Sequence, residues 1–137
     1  MVCIYCGGKT RVTNSRSQKR LNQTWRRREC LRCRAVVTTL EACDYSASIV
    51  VKDATGQQTP FERDRLFASV YASLGHRDTA TSDATFITGT IIGRLIGTGL
   101  SGSIDTATIG AQALETLRTF DVTAGMHYAA YHPPSTD

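Results

Sequence analysis

Two stretches decide how this chain folds: Met1-Val2-Cys3-Ile4-Tyr5-Cys6-Gly7-Gly8 and Arg26-Arg27-Arg28-Glu29-Cys30-Leu31-Arg32-Cys33-Arg34. Each contains a Cys-x-x-Cys pair, with 23 residues between Cys6 and Cys30. A two-residue spacer lets a tight knuckle aim both sulfurs at one tetrahedral ion, so Cys3, Cys6, Cys30 and Cys33 predict a structural four-thiolate zinc (Zn2+) site. Gly7-Gly8 supplies the backbone freedom that such a knuckle needs, allowing a positive φ, and Arg34 holds the equivalent place after the second pair. Four thiolates leave no coordination position for a catalytic water. The competing readings are a disulfide framework, a thioredoxin-like redox dithiol and cysteines that merely pack. A redox dithiol needs only one such pair, and disulfides suit an oxidising compartment. Cys43 stands apart and reads as a small, partly buried residue.

Charge divides the chain at the same place. Residues 1–41 hold ten Lys or Arg and two Asp or Glu, a balance of +8, while residues 42–137 hold six and ten, a balance of −4. The whole-chain value of +4 over 137 residues conceals this split. A module of about 40 residues rarely buries enough apolar surface to fold alone, so residues 1–41 require a metal cross-link. Such a density of cations repels itself unless an anionic partner compensates, and the arginine fork suits phosphate oxygens and guanine edges. Nucleic acid is the expected partner, with Arg11, Arg16, Arg26, Arg27, Arg28 and Arg32 as candidate contacts. The run leading into Cys30 reads as a ribbon strand, which places Arg26 and Arg28 on one face. Trp25 either caps the small ribbon core or stacks on a base.

The second half is read as a β-hairpin capped by about four α-helices, giving an α+β chain. Residues 46–52 are rich in branched side chains and precede the turn Asp53-Ala54-Thr55-Gly56. Thr59-Pro60-Phe61-Glu62 carries the marks of a helix start, with Thr59 as cap and Pro60 in the first turn. Phe67, Val70, Tyr71 and Leu74 follow at helical spacing up to Gly75. A second helix is expected from Ser82 or Asp83, with Phe86, Ile87, Thr90, Ile91 and Leu95 on one face. A third is expected from about Thr106, and a fourth from Val122 to Tyr131 before Pro133-Pro134. The expected division is a zinc ribbon over 1–41, a linker over 42–48, the hairpin-and-helix domain over 49–132 and a tail over 133–137. No phosphate loop, dinucleotide fingerprint or nucleophile–base arrangement is present in the sequence, so no enzymatic activity is expected. No run approaches the roughly 18 apolar residues of a membrane span. The opening residues lack a signal-peptide pattern, so a cytoplasmic location without membrane contact is the expectation.

Together these features resemble the bacterial ribonucleotide reductase transcriptional repressors, which join an N-terminal zinc ribbon to an ATP-cone domain. The resemblance is carried by the two Cys-x-x-Cys pairs, Asn14-Ser15-Arg16, the run from Arg26 to Cys33, and Thr38-Thr39-Leu40-Glu41. Further along it is carried by Val51-Lys52, Gly56, Pro60-Phe61-Glu62-Arg63, Ile109-Gly110 and Tyr128-Ala129-Ala130-Tyr131. It implies a repressor that binds DNA upstream of ribonucleotide reductase genes, with ATP and dATP as effectors that change a homo-oligomeric assembly. It also implies nucleotide contacts at Val51, Lys52, Phe61, Arg63, His76 and Arg77. Trp25 departs from the family pattern, standing where an arginine is usual, and His76 stands in place of a lysine. A second functional class fits the same residues: a zinc-ribbon RNA- or ribosome-associated module whose helical half serves oligomerisation.

Overall fold

The computed structural model describes residues 1–99 and 101–133, so the expected tail lies outside the described residues from 134 onward. The chain forms two compact units that meet between Cys43 and Asp44. In the first, β1 (Thr10–Gln18), β2 (Gln23–Cys30) and β3 (Val36–Ala42) make an antiparallel sheet in that order. The strand expected before Cys30 is β2, the central one. A bulge at Thr13 interrupts the β1–β2 register between Val12 and Asn14. The only buried residues of this unit are Cys3 and Cys30. Trp25 is half-buried and Cys43 is exposed rather than partly buried, because it lies just beyond the end of β3, where the Asn22 amide reaches its sulfur at 3.8 Å.

The second unit begins with a 3-10 turn at Tyr45–Ala47, whose Tyr45 ring meets Phe61 edge-on at 6.1 Å. Residues expected as a linker therefore include the last ribbon-strand residue and part of the second unit's packing. The hairpin is β4 (Val50–Lys52) with β5 (Gln58–Pro60), closed by a turn in which Asp53 accepts N–H bonds from Thr55 and Gln57. A strand that sequence reading does not find, β6 (Ser103–Asp105), pairs parallel with β4 and places β4 in the middle of the sheet. Its three residues carry no local pattern, and parallel pairing depends on the helical crossover that returns the chain.

Four helices follow the expected plan, α3 and α4 starting where expected and α1 and α2 with shifted starts: α1 (Arg63–Ser73), α2 (Ala80–Gly97), α3 (Thr106–Phe120) and α4 (Val122–Tyr131). The expected Thr59 cap does not form. Thr59 and Pro60 complete β5, where Pro60 pairs with Val50 on an edge strand that tolerates a missing N–H, and α1 starts after Glu62 without a side-chain cap. The buried stripe of α1 is Leu66, Val70 and Ser73, continuing to Leu74, while Tyr71 is left exposed and stacked on Phe67. Phe86 of α2 is likewise exposed, because Ala84, Ile87, Thr88, Ile91 and Leu95 turn inward instead. The core is built from these residues with Ile104, Ala113, Leu117, Ala124 and Tyr128. At about 25 cal/mol per Å² of buried apolar surface, such a core can stabilise this unit without a metal.

Asp121 joins the corners of this core. It stands between α3 and α4, caps α4 by accepting the Ala124 N–H at 3.0 Å, and receives His76 Nε2 at 3.1 Å and Arg77 Nη1 at 3.0 Å. Arg77 also donates to Asp83 at 2.8 Å and lies 4.9 Å from the centre of the Phe120 ring. The Ala124 N–H, then His76 and Arg77, hold the Asp121 carboxyl well below the usual carboxylate range. A carboxyl with a depressed folded pKa contributes stability above its unfolded value of about 3.9 and loses it as pH falls below that value. Asp121→Asn should therefore lower the thermal midpoint of the helical unit at neutral pH and make its acid unfolding less steep, as read by far-UV circular dichroism. Helices α3 and α4 touch at Gly125, where an added Cβ would lie 2.5 Å from Arg118 Cγ and 3.0 Å from its Cα. Gly125→Ala should cost about 1–3 kcal/mol, measured by denaturant unfolding of the same unit.

Candidate metal centre, basic sheet and cavity

The two Cys-x-x-Cys loops are built alike. The N–H of Gly7 bonds the Cys3 carbonyl at 2.9 Å, and the N–H of Arg34 bonds the Cys30 carbonyl at 3.1 Å. Gly7 and Arg34 both adopt positive φ, 68° and 62°, so the second loop accepts in an arginine the left-handed turn that the first gives to glycine. Cys3 Sγ accepts the Tyr5 N–H, and Cys30 Sγ accepts those of Arg32 and Cys33, each at 3.4 Å. The loops meet with Cys3 and Cys33 sulfurs 3.6 Å apart and those of Cys6 and Cys30 3.5 Å apart, and all four lie within 4.8 Å of one another. A zinc–sulfur bond of about 2.3 Å gives tetrahedral sulfur edges of about 3.8 Å, so the cluster fits one zinc ion.

The thiols cannot all ionise unaided. The Cys33 N–H, with that of Arg32, brings the Cys30 thiol down to about 6. The Ala35 N–H pulls Cys33 the same way, but the neighbouring sulfurs of Cys6, Cys30 and Cys3 push it up to about 12. A bound dication supplies the positive charge that lets four thiolates share this space.

The sheet beside this centre carries the arginines. Cross-strand partners share a face, so the register places Ser15, Arg26 and Thr39 on one side and Arg16, Trp25 and Leu40 on the other. Arg26 donates to Glu41 at 3.0 Å and to Ser15 at 3.0 Å, and Arg28 donates to Thr39 at 3.2 Å. Arg11 bonds Glu29 Oε2 at 2.7 Å and Arg34 bonds its other oxygen at 3.3 Å, so the Arg11 guanidinium first, and then Arg34, lower the Glu29 pKa. Among the described residues, no carboxylate lies within ion-pair distance of Arg16, Arg27 or Arg32.

In the helical unit a cavity of about 1180 Å³ opens between the β4–β5 hairpin, α1, α3 and α4. Its apolar wall includes Val51, Phe61, Leu66, Ile109 and Leu114, and its charged groups are Arg65, Arg118, Asp53, Glu62 and Glu115. Ser69 Oγ lies 2.6 Å from His132 Nε2, and the His132 ring stacks on Tyr128 at 4.4 Å, both on the cavity wall. Burial raises the Tyr128 pKa. Of the six candidate nucleotide contacts, Val51 and Phe61 line this cavity. Lys52 follows Val51 in β4 and so points to the opposite face of the sheet. Arg63 pairs with Asp64 at 3.6 Å, and His76 and Arg77 are held in the Asp121 corner. Arg65 and Arg118 are the basic residues that sequence reading missed. The sole signal available was scarcity, since they are two of only six Lys or Arg beyond residue 41.

Comparison with known proteins agrees with this division. Residues 1–41 match the family model described as transcriptional repressor NrdR-like, N-terminal domain. Relatives named transcriptional repressor NrdR from Symbiobacterium thermophilum, Sinorhizobium medicae and Bradyrhizobium diazoefficiens are each 32% identical to this chain. Each alignment covers 96% of the chain, and 87%, 83% and 82% of the respective relatives. Among the described residues no helix is long and apolar enough to cross a membrane.

Because the first unit buries little besides sulfur, Cys30→Ser should release zinc and unfold the ribbon while α1 to α4 stay folded. A colorimetric zinc assay with proteolysis of the two units checks this, and stoichiometric zinc retained by the variant would overturn the ligand assignment.

Proposed function

The chain belongs to the NrdR family of transcriptional repressors, and on that premise we propose that it is a zinc-dependent DNA-binding repressor of ribonucleotide reductase genes whose helical unit responds to ATP and dATP. The observation that carries the DNA reading is the ribbon itself. A ribbon with no apolar core, whose four cysteines fit one zinc ion, carries a charge of +8 over residues 1–41 and, among the described residues, leaves several guanidinium groups without a carboxylate partner. Nothing in the cluster offers an open coordination position, which accords with a binding role rather than an enzymatic one.

The cavity supports the nucleotide reading. Its volume is somewhat larger than that of most ligand sites, its apolar wall suits a base, and Arg65 and Arg118 offer forks for phosphate. The carboxylates of Asp53, Glu62 and Glu115 suit ribose hydroxyls or a phosphate-bound cation. On this reading the phosphate-binding charge comes from α1 and α3, while His76 and Arg77 brace the fold. One ribbon grips few phosphates, so useful affinity arises from pairing ribbons in a homo-oligomer, and a ligand that alters their spacing alters DNA binding.

Isothermal titration of the full chain should show binding of ATP or dATP, with Arg118→Ala weakening it at least tenfold and Arg77→Ala acting mainly on stability. Absence of heat for both nucleotides would refute the cavity assignment. In a gel shift, duplex DNA should be retained in preference to RNA, with retention changing when nucleotide is added. Preference for RNA would favour a ribosome- or RNA-associated module instead.

A further inference from the structure

Resting on the DNA-binding reading of the ribbon, we infer that it engages duplex DNA through one face of its sheet, the face bearing Trp25, with Asn14, Arg16 and Arg27 as the contact residues. The two faces differ in chemistry. On the first, Arg26 is bound by Glu41 and Ser15, and Arg28 by Thr39. Their stems lie along the sheet and leave both residues half-buried, with Val37 and Thr39 of β3 partly covered beside them. Arg26 and Arg28 thus satisfy the sheet's own polar groups, and moving them to phosphate would leave Glu41 and Thr39 without these partners.

The opposite face is free. Arg16 faces Trp25 across β1 and β2, and Trp25 faces Leu40 across β2 and β3; in the next row Asn14, Arg27 and Thr38 stand side by side. Arg16, Arg27, Thr38 and Leu40 are exposed, Leu40 at 61%. Neither arginine has an ion-pair partner among the described residues, and Glu29, the carboxylate on this face, is already shared by Arg11 and Arg34. An open face with two unpaired guanidinium groups complements a polyanion by charge. The adjacent Arg27 and Asn14 supply the side-chain types that make bidentate contacts to guanine and adenine edges. Asn14, Arg16 and Arg27 all lie on β1 and β2, and a two-stranded ribbon is narrow enough to enter the major groove. Trp25 and Leu40 give the face a stiff apolar floor that sheds water when a duplex covers it.

Trp25 is the chain's single tryptophan, so the wild-type protein reports on the face directly. Titrating the zinc-loaded full chain with random-sequence duplex DNA at low salt should change tryptophan emission with the same midpoint as the fluorescence anisotropy of the labelled duplex. Emission that stays constant while anisotropy rises would overturn the inference. Arg16→Ala and Arg27→Ala should each weaken binding about tenfold and make the salt slope shallower by about one. Arg26→Ala and Arg28→Ala should stay within twofold of wild type when zinc content is unchanged, and larger losses there than at Arg16 and Arg27 would also overturn it. Failure of the wild-type chain to bind any duplex would sink the DNA-binding reading itself.

Discussion

Four sulfur atoms within 4.8 Å of one another hold together a sheet that has almost nothing else to hold it. In an ordinary small domain, apolar side chains must occupy one face of the sheet, and the remaining surface is what recognition can use. Here the cross-link sits at one end, where both knuckles turn, and cohesion no longer requires either face to be apolar. That is why β1 and β2 can carry arginine, serine, threonine and asparagine at most of their positions. The same economy makes the sheet dependent on its ends: without the metal, crowded thiols and clustered guanidinium groups would both favour the open chain.

The second unit solves the stability problem in the usual way, with helices closing on Leu74, Ile87, Ile91 and Leu117. Its polar links include several between residues far apart in the chain, and Asp121 makes three of its bonds to three different residues, capping one helix while fixing the segment between α1 and α2. Because that corner is tied down, the hairpin, α1, α3 and α4 can leave a cavity on another side without losing the core. Gly125 contributes to the same division of labour. It brings α4 against the backbone of Arg118 and so sets where that arginine stands on the cavity wall.

On the proposed reading a chain organised in this way would separate two kinds of binding: charge on the ribbon would favour a polyanion and be screened by salt, whereas the cavity would select by shape and by a few placed groups. Coupling between them requires only that a ligand in one unit change the equilibrium on which the other depends. No catalytic group is needed, and the family to which the chain belongs is one of repressors.

The sequence by itself determined the metal centre, the charge division and the existence of four helices. These are written in short-range terms: a two-residue cysteine spacer, a count of arginines, a helical period. It determined less well which residues face where. Thr59-Pro60 has the composition of a helix start, yet the pairing of Pro60 with Val50 places it in a strand, and that partner lies ten residues away. Phe86 and Tyr71 match a helical stripe but lie outside the core, because neighbouring positions are better placed against other helices. The nucleotide candidates divided for the same reason, with Arg77 claimed by Asp83 and Asp121 while Val51 and Phe61 line the cavity, where Arg65 and Arg118, which were not among the candidates, also stand. Only the tertiary structure decided these matters, since an arginine becomes a cavity-lining or a bracing residue according to which carboxylate the fold brings beside it, and that distance is not a property of local sequence.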